Sequence, residues 1–287
     1  MSEQPATEST FQLVHEPSFS GVIHGVVQTP DAAGARPTVV VCHGFKGFFE
    51  WGFFPPLADL LVQRGYTVVR FNYSGSGQKP GDDVVTDLEA FRRNTFSLEV
   101  QETLRVLEAL DELAPGRVDL SRLAIIGHSR GGAAAVLASA AEPWRERLRA
   151  LVTWASISSY DIYRRGEAEV REKGYAIVVN GRTGQELKLG PDLLNDLDAH
   201  PERLDVSAAA ARRRSPWLIL HGTGDETVST DEARVLARAG ATGGEVALEL
   251  IEGAGHTFGA QHPFTGPTPD VIRLFNATQT WLREHCW

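Results

Sequence analysis

Apolar residues in this chain fall into two alternating patterns. Short, largely apolar runs bounded by turn residues occur at 38–42, 66–71, 123–126, 150–154, 216–221 and 246–251, the first of them mostly β-branched. Those at 38–42, 150–154 and 216–221 read as strands buried on both faces, as in a parallel sheet, and the others as further strands. Between them, apolar residues recur at spacings of three and four, which predicts helices. Leu57, Leu60 and Leu61 mark one over 55–64, stopped by Gly65; Val100, Leu104, Leu107 and Leu110 mark another over 91–113. A helix opens at Thr230-Asp231-Glu232 and runs to Gly240. Val271, Leu274, Phe275, Trp281 and Leu282 place a terminal helix over 269–285.

Two stretches break this rhythm. From Phe11 to Gln28, short alternating segments flank Ser18-Phe19-Ser20-Gly21 and predict an antiparallel hairpin at a sheet edge. Between Ala155 and Arg214, the segment from Tyr160 to Lys173 reads as solvated helix. Residues 175–179 and 186–189 then flank Asn180-Gly181, a hairpin signal, and Leu193, Leu194 and Leu197 mark a short helix. An insertion over about 156–214, placed after a strand at the ligand-binding edge of the sheet, is expected to cap a substrate pocket; the other reading is a remote surface excursion. No repeat or linker divides the sequence. Residues 1–287 are therefore expected to form a single domain.

Composition narrows the function classes. The net charge of −9 gives no electrostatic reason for nucleic acid or an anionic membrane surface as partner. Lysine occurs only at Lys46, Lys79, Lys173 and Lys188. The two cysteines, Cys42 and Cys286, have no metal-ligand spacing, and the Gly-rich stretch Asn72–Gln78 lacks a nucleotide-binding pattern, so no cofactor is expected. Residues 1–10 are polar and read as a loose tail rather than a secretion signal. With no apolar run long enough to cross a bilayer, the expected location is cytoplasmic.

Candidate chemistry lies where the strands end. The run 123–126 leads into Gly127-His128-Ser129-Arg130-Gly131 and then a small-residue helix, the strand–turn–helix context that gives G-x-S-x-G its meaning. A sharp turn there exposes Ser129, Gly127 and Gly131 remove crowding Cβ atoms, and the helix N-terminus offers free N–H groups. The strand 38–42 ends in His43-Gly44-Phe45. Backbone N–H groups of Phe45 and Arg130 are the candidate oxyanion donors. Lys46 beside them reads as a solvated loop lysine, or as an attractant for an acidic substrate group. Phe48, Phe49, Trp51, Phe53 and Phe54 either line an acyl or aryl pocket or fill core. The strand 216–221 leads to Asp225, and the strand 246–251 to His256. Glu226 and Asp231 compete less well as the acid, the second suiting a helix start. His262, beyond the strand-end loop before Pro263, competes less well as the base.

Taken together, His43-Gly44-Phe45, Gly127-His128-Ser129-Arg130-Gly131, His221-Gly222-Thr223-Gly224-Asp225 and Gly255-His256 resemble the α/β-hydrolases, in the order Ser, Asp, His. The resemblance runs from Thr38 to the terminal helix. It implies an α/β-hydrolase fold: a mostly parallel sheet, helices on both faces and a small inserted cap. It also implies Ser129 as nucleophile, His256 as base, Asp225 as its orienting acid, and structural roles for His128 and His43. A serine nucleophile departs from the cysteine of dienelactone hydrolases and the carboxylate of halide-displacing relatives. The hairpin insertion together with His-Gly-Phe is similar to bacterial feruloyl and cinnamoyl esterases.

The leading expectation is a cofactor-independent serine esterase acting on a small-molecule ester, with aryl or short acyl groups, through an acyl-enzyme. A serine peptidase or amidase of the prolyl-oligopeptidase type shares the elbow but carries a large N-terminal domain that the sequence does not display. A non-catalytic binding protein on the same fold is the third reading, disfavoured because all three triad positions hold competent residues.

Overall fold

The computed structural model describes residues 6–14 and 21–287. Its strands, in chain order, are β1 (Ala6–Val14), β2 (Val22–Pro30), β3 (Arg36–Cys42), β4 (Thr67–Asn72), β5 (Val118–His128), β6 (Leu148–Trp154), β7 (Ala176–Val179), β8 (Glu186–Leu189), β9 (Trp217–Gly222) and β10 (Val246–Ile251). Eight form one sheet in the order β1-β2-β4-β3-β5-β6-β9-β10, and β7 pairs with β8 apart from it. From β4 to β10 every neighbouring pair is parallel; β1–β2 and β2–β4 are antiparallel.

Helices cover both faces: α1 (Phe54–Gln63), α2 (Leu88–Arg93), α3 (Phe96–Glu108), α4 (Leu110–Leu113), α5 (Arg130–Ser139), α6 (Trp144–Arg147), α7 (Glu167–Lys173), α8 (Asp192–Ala199), α9 (Val206–Arg212), α10 (Thr230–Gly240) and α11 (Pro269–Cys286). Alternating strand side chains point to opposite faces. Val39 and Val41 of β3, with Ala124 and Ile126 of β5, pack under α1 and α11. Val40, Leu123 and Ile125 face the other way, onto α3, α5, α9 and α10. Burial on both sides explains why these strands carry no polar alternation. The mostly parallel sheet with helices on both faces is the architecture expected.

The chain differs from expectation in four places. Residues 6–10, expected in a loose tail, extend β1, with Ala6 paired to Pro30 and Thr10 to Val26. Their side chains are exposed and bury no apolar surface, so backbone pairing carries the strand and no apolar pattern announces it. The hairpin is otherwise as expected and forms the sheet edge; Ser18, Phe19 and Ser20 of its turn, and Met1–Pro5 of the tail, lie outside the described residues.

The helix expected over 91–113 is broken at Asn94 and Thr95, both of which have extended ψ values. Thr95 begins α3 as its N-cap, its Oγ1 accepting from Leu98 N at 3.2 Å. Within the insertion, the segment from Tyr160 is not uniformly solvated. Tyr160 is buried and stacks on Phe96 at 3.9 Å between ring centres, ahead of a 3₁₀ turn at Asp161–Gly166 and α7. Helix α9 was not anticipated. Asp205 caps it through Ala208 N at 2.8 Å, and Val206, Ala209 and Ala210 bury against the core; its alanine-rich sequence carries little periodicity.

The insertion is anchored to the main body. Asp196 of α8 accepts from Ser97 N at the start of α3, at 2.8 Å. Gln185, ahead of β8, accepts from Val85 N at 3.1 Å and donates to Val85 O at 2.8 Å. Leu187 is fully buried with Val85 and Phe91, and Phe45 packs against the same cluster. The hairpin β7–β8 thus sits beside the loop that follows β3.

Candidate active site

Ser129 occupies the turn between β5 and α5 with φ 55° and ψ −122°, a conformation that costs an L-residue roughly 1–3 kcal/mol. Close approach on both sides holds it there. A Cβ on Gly127 would stand 2.5 Å from Gly131 O, and one on Gly131 would stand 2.2 Å from His43 O. The helix can therefore cross the ends of β3 and β5 only with glycine at both positions. Ser129 N–H donates to Trp154 O at 2.8 Å, tying the turn to the end of β6.

Asp225 and His256 come from the next two strand ends. Thr223 N donates to Ile251 O and Gly224 N to Ala254 O, both at 3.0 Å, which stitches the β9 and β10 loops together. His256 Nδ1 lies 2.8 Å from Asp225 Oδ2, and His256 Nε2 lies 3.1 Å from Ser129 Oγ. Burial by itself would raise the Asp225 carboxyl. Hydrogen bonds from His221 and His256, the His256 charge and Val228 N–H outweigh it and hold the group well below the usual carboxylate range. Its Oδ1 accepts from Thr227 N and Val228 N at 2.8 and 2.9 Å. An ionised Asp225 selects the Nδ1–H tautomer of His256, leaving Nε2 to accept the Ser129 hydroxyl proton.

His128, His43 and His262 have other work. His128 Nε2 donates to His256 O at 3.1 Å, and burial, with the His256 charge, lowers its pKa to about 3. His43 Nδ1 donates to Gly44 O at 2.8 Å while its Nε2 accepts from Tyr73 N at 3.2 Å. Burial lowers it to about 4, so it bridges the two loops as a neutral ring. His262 accepts from Gly52 N at 3.0 Å and reaches Asp83 Oδ1 at 3.1 Å, which leaves it a part in loop packing rather than at Ser129. Asp231 pairs with Arg234 in the first turn of α10, and Glu226 is exposed.

A cavity of about 190 Å³ opens over Ser129 and His256. Phe45, the candidate donor residue, lines it, as do Trp51 and Phe54; Phe48, Phe49 and Phe53 are buried. The aromatic loop thus divides between pocket and core. Asn180 and Arg182 of the hairpin turn close the cavity from the insertion side. Lys46 is not simply solvated, because its Nζ donates to Val179 O of β7 at 3.0 Å. Among the described residues, no group of three or more His, Cys, Asp or Glu side chains is placed to hold a metal ion. No helix among them is long and apolar enough to cross a membrane.

One buried cluster escaped the sequence reading. The Arg130 side chain pairs with Glu99 in the interior. The guanidinium carbon stands 4.5 Å from the Phe45 ring centre and 5.5 Å from those of Phe96 and Tyr163. The available signal was Glu99 at helical spacing from Phe96, Thr103 and Val106, an acid on the buried face of α3.

Known structures share this architecture at low identity. Est1E from Butyrivibrio proteoclasticus, solved with ferulic acid bound, superposes with a TM-score of 0.69 at 20% identity, covering 93% of this chain and 96% of that one. An acylaminoacyl peptidase from Pyrococcus horikoshii gives 0.70 at 18%, covering 99% of this chain but 42% of the peptidase. A puromycin-hydrolyzing peptidase of Mycobacterium tuberculosis gives 0.68 at 22%, with 100% and 40% covered. At these identities the likeness is one of fold. No curated protein sequence matches the chain significantly. The sequence model of the alpha/beta hydrolase family matches residues 39–266, which hold the loops of Ser129, Asp225 and His256, and the chain belongs to that family.

Proposed function

We propose that this hydrolase cleaves small carboxylic esters through an acyl-enzyme on Ser129. The observation that carries the reading is the continuous hydrogen-bonded line from Asp225 through His256 to Ser129, at 2.8 and 3.1 Å. Ser129 Oγ attacks the ester carbonyl carbon as His256 Nε2 takes its proton. The negative oxygen is met by the N–H groups of Phe45 and Arg130, and the Asp225 carboxylate stabilises the imidazolium. His256 then protonates the departing alkoxide. Water, deprotonated by the same ring, attacks the acyl-Ser129 carbonyl; the C–Oγ bond breaks, His256 returns the proton to Ser129 Oγ, and the carboxylic acid leaves.

Residues 156–214 act as a cap. Asn180 and Arg182 border the cavity, and the buried Leu187 holds the hairpin beside the Phe45 loop. A space of about 190 Å³ suits an aryl or short acyl group. Est1E, whose bound ferulic acid is an aryl acid, covers nearly the same length of chain and lends weight to an aryl ester. The peptidase relatives of fold favour an amide as the second reading.

Labelling with a fluorophosphonate, with the adduct located by mass spectrometry, tests the nucleophile. The label is expected on Ser129 of the wild type and lost in His256→Ala. Ser129→Ala is expected to fold normally and lose roughly 10⁴- to 10⁶-fold in kcat. Retained turnover would remove Ser129 from its role. A matched ester and amide separate the two readings, with faster acylation by the ester expected.

A further inference from the structure

The cavity over Ser129 has an unequal charge lining. Lys46 and Arg182 are among its residues, and no Asp or Glu is among the described residues that line it. This contrasts with a chain whose net charge is −9 and whose lysines number four. Two cations thus meet at one mouth, with no acid among the described residues that line it.

Neither cation is neutralised by a carboxylate. Lys46 Nζ donates to the backbone carbonyl of Val179, and Arg182 donates to that of Asp83. The nearby acids are engaged elsewhere. The Asp83 carboxylate faces His262 Nε2 at 3.1 Å, Glu50 accepts from Gly81 N at 2.9 Å, and Asp225 is turned to His256. Carbonyl dipoles satisfy N–H donors without cancelling a unit charge. Val179 and Arg182 bracket the hairpin turn, so the same short segment fixes both groups. Lys46 also holds a left-handed backbone (φ 60°), and its side chain reaches from the Phe45 loop to the hairpin. Burial lowers the Lys46 pKa; a bound anion would offset that cost.

We propose that the favoured substrate carries an anionic group, a carboxylate or its equivalent, on the part of the ester lying against Lys46 and Arg182. The proposal rests on the ester-hydrolase reading and adds to it the class of substrate. Trp51 and Phe54 supply apolar walls for the rest of the molecule, and the two cations set orientation. Charge-assisted hydrogen bonds of this kind correspond to a preference of about tenfold to a hundredfold.

Two probe pairs place the anion on either side of the ester bond. 4-Acetoxybenzoate is compared with its methyl ester, and mono-4-nitrophenyl terephthalate with 4-nitrophenyl benzoate, each rate divided by that with hydroxide. At low ionic strength at least one anionic member should exceed its neutral partner in kcat/KM by about tenfold or more. The ratio should fall towards one in about 1 M salt, where screening is short-ranged. It should also fall in Lys46→Gln and in Arg182→Gln, and recover in Lys46→Arg and Arg182→Lys. A latch that merely held the hairpin would lower all rates and leave the ratio alone. Equal corrected rates in both pairs overturn the proposal while leaving the esterase reading intact.

If the wild type hydrolyses none of the four, the ester reading fails. Calorimetry on Ser129→Ala, with 4-acetoxybenzoate and its methyl ester as ligands, then decides the anion site. Tighter binding of the anion by about tenfold or more supports it; equal affinity, or no binding of the anion, overturns it.

Discussion

The guanidinium carbon of Arg130 stands 4.5 Å from the centre of the Phe45 ring, so the two residues whose N–H groups are assigned to the oxyanion are packed on each other. Glu99 holds the guanidinium from the far side, inside the core. Removing one member of a buried pair leaves an uncompensated charge and costs roughly 3–5 kcal/mol. Glu99→Gln is expected to lose stability on that scale in urea denaturation. Arg130→Met combined with Glu99→Leu, which removes both charges, should recover most of it. A double variant no more stable than Glu99→Gln would place the loss elsewhere than in the stranded charge.

Asp225→Asn tests the tautomer argument. Asparagine can still accept from Thr227 and Val228 through its oxygen, but it presents an amide N–H to His256 Nδ1. The ring then carries its proton on Nε2 and cannot accept from Ser129. A loss of roughly 10⁴-fold in kcat is expected, with KM and Tm little altered. A loss below about tenfold would mean that another group orients His256.

Glu102 should give folding stability a pH dependence of its own. Its carboxyl is buried beside Ser74, which donates to it from both backbone N and Oγ. Burial raises it to about 8, with the Ser74 hydrogen bonds opposing the rise. The folded chain therefore keeps a proton that the unfolded chain releases above about pH 4.5. Its contribution is full below that pH and is lost as pH climbs to about 8. Glu102→Gln stays neutral and keeps both partners. Its Tm relative to wild type should rise steadily from pH 5 to pH 8. A pH-independent difference would show that Glu102 does not titrate in this window.

Leu187 is the fully buried apolar anchor of the insertion hairpin, beside the hydrogen bonds of Gln185 to Val85 and of Lys46 to Val179. It packs against Val85 and Phe91 on the main body. Leu187→Ala is expected to cost roughly 2–5 kcal/mol of docking. Amide exchange over 176–189 should then speed by about 30-fold or more, while β3 and β5 exchange as before. Uniform acceleration across the chain would make the hairpin part of the global folding unit.

Much of this protein is legible one residue at a time. Strands such as β3 and β9 announce themselves because burial on both faces leaves continuous apolar runs, and helices α1 and α11 because one face is buried. The Ser129 turn is legible for a local reason too: crowding by backbone at Gly127 and Gly131 admits no Cβ. What lacks a local cause was not readable. Residues 6–10 pair with β2 through backbone alone. The break at Asn94 and Thr95 follows from a cap that competed with an unbroken helical pattern. The 2.8 and 3.1 Å contacts of His256, the Arg130–Glu99 pair, and the meeting of Lys46 with the hairpin join residues 31 to 133 positions apart. Sequence by itself determined which reactive residue types stand at which strand ends. Tertiary structure alone decided which of them touch, because side-chain contact across a sheet edge is set by the packing of every layer beneath it.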